Sequence, residues 1–349
     1  MRIGFQAGAL NERGMSVALH DYARGVQDIL GHEAFVFYHE ANSAPMVAEK
    51  FGKSLTMVPV KPGENVRAVS EPYQLDFCYY IRDGRVRPLD VVAERSGVHA
   101  VFRHFDPHGD VYAYVSDWLA DWMTGGLAPA VPHIVNLPEP QGTLRQELGL
   151  PADAFVVGRY GGFDQFNLPF AHAAVKEALG QRSNLHFLFV NTERFLDHPR
   201  ALFLPAIVDP QEKARFIATC DAGINAKKIG ESFGLAIAEF LMFGKPVFSW
   251  AGGMDQNHVV MTPRSEWIYK SRRGLLRLLT DYTPSPHDSD IARGSVAGFR
   301  PEPVMKTFGK VFLGNDSPAK DMRLSPGFKA RRFVQEKALR AQFRLWKGL

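Results

Sequence analysis

Residues 226–250 read AKKIGESFGLAIAEFLMFGKPVFSW, and this stretch decides how the second half of the chain folds. The apolar run before it predicts a β-strand that ends near Ala226, followed by a turn at Gly230. A helix is predicted to begin near Phe233 and to end at Gly244, which is followed by Lys-Pro. The first backbone N–H groups of a helix have no partner within it. The stretch therefore predicts an anion-binding site, suited to a diphosphate, at the start of the helix.

Two glutamates bracket that site. Glu231 or Ser232 is the predicted helix cap, and Glu239 follows about two turns later. With a rise of ~1.5 Å per residue, the two glutamates are expected ~12 Å apart along the axis, on neighbouring faces. A nucleotide-sugar needs hydrogen-bond acceptors for the hydroxyls at its two ends and donors for the phosphates between them. The order carboxylate, N–H groups, carboxylate therefore predicts nucleotide-sugar binding.

The composition is that of a soluble globular protein. The 349 residues, 46% hydrophobic and 22% charged, suffice for two α/β domains of ~150 residues each. No run approaches ~18 apolar residues, and MRIGFQAGAL predicts a first strand rather than a signal peptide. Cys78 and Cys220 stand far apart in apolar surroundings, which argues against a disulfide framework and favours the cytoplasm. A net charge of +4 suits an anionic small ligand or an acidic membrane surface better than a nucleic acid.

Strand and helix patterns alternate along the chain, which predicts an α/β protein with parallel sheets. A stretch rich in Pro and Gly, within 126–152, predicts a linker. We expect domains at 1–140 and 141–315, then a basic helical segment at 316–349. Strands are predicted in RIGFQAG (2–8), AFVFYHE (34–40), LTMVPV (55–60), LDFCYYIR (75–82), VHAVFRH (98–104), FVVGRYGG (155–162), NLHFLFVN (184–191), DAGINA (221–226) and KPVFSW (245–250). Other helices are predicted in SVALHDYARGVQDILG (16–31), NLPFAHAAVKEALG (167–180), where Asn167 is the expected cap, and QEKARFIATC (211–220).

The opening stretch resembles the paired-glutamate signature of the retaining GT-B glycosyltransferases known as glycosyl transferases group 1 or glycosyltransferase family 4. That signature runs Glu-x-Phe-Gly, then a second Glu, then Gly-x-Pro-Val. The chain matches it at Glu231, Phe233, Gly234, Glu239, Gly244, Pro246 and Val247. The resemblance extends to RIGFQAGALNERGMSVAL, similar to the family's first strand and Gly-rich loop, to VYAYVSDWLADWM, similar to its strand–Ser–helix segment, and to VVGRYGG, similar to its Val-Gly-Arg segment.

The resemblance implies a GT-B fold, in which two Rossmann-like doubly wound domains face a cleft and a C-terminal helix crosses back to the first domain. The first domain would bind the acceptor and the second the nucleotide-sugar. The implied reaction is retaining, metal-independent transfer of a hexosyl group from a UDP- or GDP-sugar to a hydroxyl of a glycan or glycolipid. No cofactor beyond the nucleotide-sugar co-substrate is implied.

The resemblance also assigns roles to residues. Glu231 would bind the hydroxyls of the donor sugar, Glu239 the ribose and Arg159 the diphosphate. The segment between the two glutamates and the first loop of the chain would complete donor binding, through Ser232, Phe233, Gly234, Leu235, Gly8 and Arg13. For Arg13 a contact with the acceptor and a solvated loop position are the alternatives.

One element of the family pattern is missing. The family usually has Lys-Gly about five residues after its Arg, but here the residues after Arg159 include Gly162-Phe163-Asp164-Gln165 instead. We hypothesise that Lys227 or Lys228, just before Glu231, supplies the missing positive charge.

Histidines after the strand candidate VHAVFRH are the remaining catalytic candidates. Related enzymes carry a His that faces the donor sugar from a loop of the first domain, and His104 fits best, with His108 second. A loop histidine without a chemical role is an equal alternative for each. The Asp288-Ser289-Asp290 triplet has the DxD form of a metal motif, but its position favours an ordinary polar loop. No metal is expected.

The C-terminal segment is basic. Residues 320–349 contain nine Lys or Arg and two acidic residues, which gives +7. Val334, Ala338, Ala341 and Leu345 share one helical stripe. Packing of this helix in the fold, where it crosses back to the first domain, is the favoured interpretation, and weak docking on anionic lipid is the alternative.

Three other functions compete with glycosyl transfer. A nucleotide-sugar epimerase would isomerise the sugar without an acceptor, and a non-catalytic binding protein would hold it without turnover. An oxidoreductase is disfavoured, because RIGFQAGALNERG lacks the Gly-x-Gly-x-x-Gly spacing of a dinucleotide-binding strand and helix.

Overall fold

The computed structural model describes residues 1–11, 14–314 and 319–345, together with all side chains there except those of Lys320 and Leu345. It is an α/β protein whose chain separates into two compact units. The first consists of Met1–Ile134 and Phe299–Val334, and the second of Val135–Gly298 and Gln335–Leu349. In the described part of the chain no helix is long and apolar enough to cross a membrane.

In chain order the strands are β1 (Arg2–Ala7), β2 (Glu33–His39), β3 (Thr56–Val60), β4 (Leu75–Arg82), β5 (Ala93–Ala100), β6 (Val111–Tyr114), β7 (Phe155–Arg159), β8 (Leu185–Val190), β9 (Ala201–Leu204), β10 (Ala222–Asn225), β11 (Gly230–Glu231), β12 (Val247–Trp250), β13 (Asp255–Gln256) and β14 (Ile268–Tyr269). The nine strands predicted from apolar runs correspond to β1–β5, β7, β8, β10 and β12, whereas β9, β11, β13 and β14 were not predicted.

Helices connect these strands and close the chain. They are α1 (Gly14–Asp28), α2 (Pro45–Gly52), α3 (Val66–Ser70), α4 (Asp117–Thr124), α5 (Pro169–Gln181), α6 (Pro210–Thr219), α7 (Leu235–Met242), α8 (Asn257–Met261), α9 (Arg272–Asp281), α10 (Asp288–Ser295), α11 (Pro301–Phe308) and α12 (Pro326–Leu345).

Each unit contains a six-stranded parallel sheet, and the two sheets have the same strand order. The first runs β3-β2-β1-β4-β5-β6, and the second, read from its other edge, runs β9-β8-β7-β10-β12-β14. In both sheets the first strand in chain order therefore lies beside the fourth. In the second sheet β7 lies between β8 and β10. The chain runs outward from β7 through β8 to β9, and then in the opposite direction from β10 through β12 to β14. In doubly wound sheets this reversal opens a crevice at the carboxyl ends of the two central strands, where ligands bind. The doubly wound α/β prediction is confirmed for both units.

Glycines let α6 and α7 approach the middle of the second sheet. A Cβ added to Gly158 in β7 would lie 2.3 Å from Sγ of Cys220 and 3.0 Å from the ring of Phe240. A Cβ on Gly223 in β10 would also lie 3.0 Å from the Phe240 ring. The absence of these two side chains therefore fixes how closely the Glu239-bearing helix packs on the strands.

Some element boundaries differ from the prediction. β5 ends at Ala100, so the predicted strand over 98–104 is displaced toward the C-terminus. The N-cap of α5 is Leu168 rather than Asn167, and no side chain caps it. Asn167 serves elsewhere, because its Oδ1 accepts a hydrogen bond from the backbone N–H of Lys228 (2.8 Å).

The chain returns to the first unit at Phe299. α11 packs on α1, where the Phe308 ring stacks on Tyr22 with centroids 5.3 Å apart. Phe312, in the turn after α11, lies edge-on to Tyr79 at 5.2 Å. These aromatic contacts place residues after Phe299 in the core of the first unit, whereas the division after Ile134 lies close to the expected seam at about 140.

α12 packs on a face other than the row of Val334. Leu339 is buried and Phe328 and Phe343 are half-buried, whereas Val334, Ala338 and Ala341 are exposed. The side chain of Leu345, the last residue of that row, lies outside the described part of the chain.

We predict opposite effects for two Gly→Ala substitutions in the second unit. Gly158→Ala should lower stability by about 1–3 kcal/mol, since the new methyl overlaps the buried Cys220. Gly180→Ala, on the exposed side of α5 with no atom within 4 Å of the new Cβ, should raise it by up to about 1 kcal/mol. Thermal unfolding midpoints measure both; equal shifts would show that packing against β7 is not restrictive.

We also predict that stability falls in mild acid because three histidines are buried. Burial lowers the pKa of His99 to about 4, of His133 to about 3 and of His258 to about 4. An unfolded histidine binds a proton below about pH 6.5, so the unfolded state gains protons first. The contribution of these three histidines to the free energy of unfolding is therefore fully present above about pH 6.5 and is lost as the pH falls toward about 4.

Denaturant unfolding from about pH 7 to about pH 4.5 tests this prediction. His133→Gln should make the pH dependence shallower, and His287→Gln, at an exposed position, should leave it unchanged. An unaltered pH dependence in His133→Gln would contradict the assignment.

Candidate functional site

The candidate site lies where the strand order of the second sheet reverses. Arg159 is the last residue of β7, and Asn225 is the last residue of its neighbour β10. The chain after β10 carries the residues of the predicted motif, from Ala226 through β11 to the start of α7. The most specific part of the sequence motif therefore lies at the edge where doubly wound sheets bind ligands.

The backbone at Glu231 is tightly constrained. Gly230 has φ +81°, and a Cβ at this position would lie 1.8 Å from the carbonyl oxygen of Asp255. Gly230 and Glu231 form the short strand β11, which pairs with β13. The Glu231 N–H donates to Nδ1 of His258 (3.3 Å), and Nε2–H of His258 donates to the carbonyl oxygen of Trp250 (2.7 Å). Only glycine fits before Glu231, so the position of this glutamate is set by the main chain.

His258 is a positioning residue that the sequence did not reveal. It is fully buried, and burial lowers its pKa to about 4, so the ring is neutral near pH 7. A neutral ring that donates from Nε2 must accept at Nδ1, which is the atom facing the Glu231 N–H. Its ring contacts the main chain of Glu231 in β11 and of Trp250 in β12, and the spacing of residues in the sequence does not reveal these contacts.

Lys227 and Lys228 have different surroundings. Nζ of Lys227 lies 2.9 Å from Oε2 of Glu231, and both side chains are partly exposed, 19% and 23%. The main chain of Lys228 is held by Asn167, and its Nζ lies 6.0 Å from the ring centroid of Phe343 on α12. Lys227 is therefore the lysine that stands beside the predicted sugar-binding carboxylate.

The start of α7 differs from the prediction. The helix begins at Leu235 rather than near Phe233, because Gly234 has a left-handed backbone that cannot be part of the helix. Its N-cap is Gly234 with φ +98°, and no side chain caps it, so the predicted cap by Ser232 or Glu231 is wrong. Gly244 does end the helix in a left-handed conformation, φ +70°, as predicted.

The loop before α7 is fixed by burial. Phe233 is 3% exposed, and its carbonyl oxygen accepts a hydrogen bond from Nδ2 of Asn257 (2.7 Å). Leu235 and Ala236, at the first positions of the helix, are partly exposed. The first-turn N–H groups of α7 thus stand at a rigid loop, within a few residues of Glu231 and Lys227.

Glu239 has a very different environment. It is only 3% exposed, and its Oε1 lies 3.1 Å from Nζ of Lys213 on α6. Nζ of Lys213 also lies 5.4 Å from the ring centroid of Tyr160, which stacks on Phe240. Glu231 lies in β11 and not on α7, so the predicted separation of ~12 Å along a common axis does not apply. Lys213 is a second site residue that the sequence did not reveal, since it lies in an ordinary amphipathic helix.

Arg159 binds the protein itself. Its guanidinium donates to the carbonyl oxygens of Asn191 (3.0 Å) and Gly162 (2.8 Å) and to Oγ1 of Thr192 (2.6 Å). Burial lowers its pKa to about 10, against the opposing effects of Glu231 and Asp164. Arg159 therefore orders the loops that follow β7 and β8, and its contact with a diphosphate stays a prediction.

The remaining predicted site residues belong to the first unit. Gly8 follows β1 and is exposed, and Arg13 lies outside the described residues. The His104 carbonyl accepts from Oη of Tyr112 (3.1 Å), which fixes the main chain of that loop. Nδ1 of His108 donates to the carbonyl oxygen of Asp106 (2.7 Å). The structure thus brings Glu231, Lys227, Arg159 and the start of α7 together in one unit and places the histidines in the other.

The Asp288 triplet is not an open loop. Asp288 begins α10 and is buried, and its Oδ2 accepts from Oη of Tyr282 (2.5 Å) and from the N–H of Ser285 (2.8 Å). Asp288 therefore has a structural role in its helix start. Within 1–11, 14–314 and 319–345, no cluster of three or more His, Cys, Asp or Glu could hold a metal ion.

Solved structures with the same architecture are numerous. No protein-family model and no curated protein matches the sequence. HepE from Anabaena, solved with UDP-glucose, is 15% identical; the match covers 89% of this chain and 98% of HepE with a TM-score of 0.66. A glycosyltransferase from Rickettsia africae is 14% identical (90% and 99% covered, TM-score 0.68), and so is sucrose-phosphate synthase from Thermosynechococcus elongatus (90% and 98%, 0.61).

These matches cover nearly the whole of each compared structure, so they concern the fold of the chain in full. At identities of 14–15% the similarity lies in the fold. The two parallel six-stranded sheets of this chain, which share one strand order, agree with it. The chain therefore has the GT-B fold of nucleotide-sugar glycosyltransferases.

Proposed function

We propose that this protein is a nucleotide-sugar-dependent glycosyltransferase. One observation carries the proposal: the uncapped start of α7 follows Glu231 and Lys227 directly, at the strand-order reversal of a GT-B unit. Uncapped helix N–H groups and a lysine suit a diphosphate, and a carboxylate next to them suits sugar hydroxyls. HepE, which has the same fold, was solved with UDP-glucose and with UDP.

Glu231 is proposed to orient the donor sugar. Its backbone is held by β13 and His258, whereas its carboxylate is 23% exposed and forms an ion pair with a partly exposed lysine. A rigid main chain with an accessible carboxylate positions hydroxyls without a large loss of entropy. In this arrangement Lys227 moves from the carboxylate toward the diphosphate when the donor binds.

Glu239 is proposed to accept hydrogen bonds from the ribose. Its Oε1 lies 3.1 Å from Nζ of Lys213, and a carboxylate with so little exposure needs such a partner. Tyr160, which lies under Lys213, restrains that lysine. Arg159 supports the same region, and a direct role for it, Ser232, Phe233, Gly234 or Leu235 in donor binding is part of the proposal.

The proposed reaction is retaining and needs no metal. The bond between the anomeric carbon and the diphosphate of a UDP- or GDP-sugar breaks, and a bond to the acceptor oxygen forms on the same face. The acceptor proton passes to the leaving diphosphate. The protein then stabilises the charge on the diphosphate, through the α7 N–H groups and Lys227, and on the oxocarbenium-like centre. Neither glutamate is a covalent nucleophile here, unlike the carboxylate pair of a retaining glycosidase.

The acceptor is proposed to be a hydroxyl of a glycan or glycolipid in the cytoplasm, bound by the first unit. His104, His108, Gly8 and Arg13 are the proposed contributors from that unit. A lipid-linked acceptor also requires contact with a membrane, which we propose for α12.

An epimerase and a non-catalytic binding protein are the competing functions. Incubation with a UDP-sugar in the absence of acceptor separates them: an epimerase yields an isomeric nucleotide-sugar, and a transferase releases UDP slowly or not at all. A binding protein would show neither, even with acceptors present.

We predict that a nucleotide diphosphate or its sugar stabilises the protein. A ligand at one hundred times its Kd that binds only the folded state adds about 2.7 kcal/mol, enough for a clear rise in the unfolding midpoint. Thermal-shift measurements with UDP, GDP, ADP and their sugars test this. Inorganic phosphate at equal concentration is the control, and no stabilisation by any nucleotide would refute the proposal.

We predict that Glu231→Gln lowers kcat by about 10²–10³ while the protein stays folded. The amide keeps the size of the side chain but loses the charge that accepts two hydroxyl hydrogen bonds. Glu302→Gln, at an exposed position of α11, is the matched control and should leave kcat unchanged. Wild-type turnover in Glu231→Gln would refute the role of this glutamate.

We predict that the two neighbouring lysines behave differently. Lys227→Ala should raise the donor KM about tenfold or more, because a charge-assisted contact with the diphosphate is lost. Lys228→Ala and the exposed control Lys176→Ala should change it little. A large rise in Lys228→Ala with none in Lys227→Ala would reverse the assignment of the missing cation.

A further inference from the structure

The loop after β7 is held by hydrogen bonds to its main chain. In residues 161–164, which read GGFD, each of the four carbonyl oxygens accepts a hydrogen bond. The donors are the Arg159 guanidinium (2.8 Å), the Glu193 N–H (2.9 Å) and the side-chain amides of Asn191 (2.8 Å) and Asn167 (3.0 Å). A main chain with this many bonds holds its side chains in defined positions.

The loop also requires a glycine beside Arg159. Gly161 has φ +153°, and a Cβ at this position would lie 3.0 Å from Nη2 of Arg159. Residues with a side chain rarely adopt such a backbone conformation. The loop therefore passes close to the guanidinium, at the carboxyl end of a central strand of the second sheet.

Of two phenylalanines in this part of the chain, one is buried and one is exposed. Phe166 is 4% exposed, and its ring packs on those of Phe189 and Phe195, with centroids 5.2 and 5.4 Å away. Phe163 is 58% exposed. Because the main chain of residues 161–164 is fixed, the exposure of Phe163 is a property of the fold. The loop thus offers a flat apolar ring at the edge of the sheet where the candidate site lies.

The same loop carries a carboxylate. Asp164 follows Phe163, is exposed, and stands five residues after Arg159, where the family resemblance leads us to expect a lysine. The charges of Asp164 and Glu231 both act on Arg159, since they oppose the lowering of its pKa by burial. Both carboxylates therefore lie in the surroundings of the same guanidinium.

Hydrogen bonds connect this loop to the segment that leads to Glu231. The N–H of Asn167 donates to the carbonyl oxygen of Ala226 (3.2 Å), and its Oδ1 accepts from the Lys228 N–H (2.8 Å). The Asn167 side chain also donates to the carbonyl oxygen of Asp164 (3.0 Å). Asp164 and Glu231 thus belong to two segments that Asn167 connects, where β7 and β10 end.

We propose that Phe163 and Asp164 complete, with Glu231, the subsite for the donor sugar, and that this subsite selects an uncharged pyranose. The inference rests on the proposed function, in which Glu231 binds the sugar of the donor. A pyranose has C–H groups on its faces, which pack on a flat aromatic ring, and hydroxyls at its edge, which donate to carboxylates. Phe163 supplies the ring, and Asp164 and Glu231 supply the acceptors.

Charge limits which sugar this subsite accepts. A uronic acid would bring a third carboxylate toward Asp164 and Glu231, and like charges at short distances repel each other. Of the nearby cations, Arg159 is buried and bound to main-chain carbonyls, and Lys227 is assigned to the diphosphate. Neither cation is therefore placed to pair with a carboxylate of the sugar.

Calorimetric titration tests the role of Phe163. UDP, GDP and their glucose, galactose, N-acetylglucosamine and mannose conjugates first identify the nucleotide-sugar that the wild type binds most tightly. Phe163→Ala should raise the Kd of that nucleotide-sugar about tenfold and leave the Kd of its bare diphosphate unchanged, because the ring contacts only the sugar. Phe163→Tyr keeps the ring, and it should bind both ligands like the wild type.

The selection by charge is tested with the same titration. The wild type should bind its preferred nucleotide-sugar at least about tenfold more tightly than the counterpart with a carboxylate at C6, such as UDP-glucuronate for UDP-glucose. Asp164→Asn should narrow this difference about threefold, since exposure and salt weaken the repulsion that is removed. Asp153→Asn, at an exposed position of the same unit, is the matched control and should leave the difference unchanged.

Each outcome decides between distinct assignments, provided that unfolding midpoints show the variants to be folded. Equal weakening of nucleotide-sugar and bare diphosphate in Phe163→Ala would assign the ring to the nucleotide and overturn the sugar subsite, as would unchanged binding of both. A uronate bound as tightly as the uncharged sugar would overturn the selection by charge. If the wild type binds no nucleotide, the proposed function itself fails, whereas diphosphate binding with an ineffective Phe163→Ala refutes only the subsite.

Discussion

The reversal of strand order between β7 and β10 is the constraint on which the candidate site depends. The chain runs outward from these two neighbouring strands in opposite directions along the sheet, and the crevice at which doubly wound sheets bind ligands lies at the carboxyl ends of such strands. Arg159 and the loop after Asn225 stand at that crevice as a consequence of topology. Gly158 and Gly223 then set how closely Phe240, and with it α7, packs on the strands.

Within this frame, the two glutamates of the motif are held by different means. Glu231 is fixed through its main chain, because Gly230 pairs with Asp255 at a distance that only glycine tolerates and neutral His258 accepts its N–H. Glu239 is fixed through its side chain, by burial and by Lys213. The main chain of Glu231 is thus fixed while its carboxylate is accessible, whereas the side chain of Glu239 is buried.

Much of the fold follows from local sequence, and less of the site does. Apolar runs such as LDFCYYIR predicted β4 over its full length, since a strand buried on both faces leaves a continuous apolar signal. The helix start at Leu235 was not predictable from capping residues. Glu231 pairs with Gln256, 25 residues further along the chain, and is therefore part of β11 instead of a helix cap. In α12 periodicity identifies the row of Val334, whereas the buried side chain is that of Leu339, on another face of the helix. His258 and Lys213 act through tertiary contacts and leave no spacing signal.

The two lysine–glutamate pairs differ in what a ligand could exchange. An ion pair between partly exposed side chains contributes little, about 0–1 kcal/mol, so the phosphate groups of a donor can draw Lys227 from Glu231 at small cost. Separating Lys213 from a carboxylate that is 3% exposed would leave a buried charge uncompensated, which costs about 3–5 kcal/mol. We therefore expect donor binding to rearrange the Glu231 end of the site and to leave the Glu239 end as it is. The cation that the motif lacks after Arg159 is then supplied at the end where the ion pair is exchangeable, which favours Lys227 over Lys213 for that role.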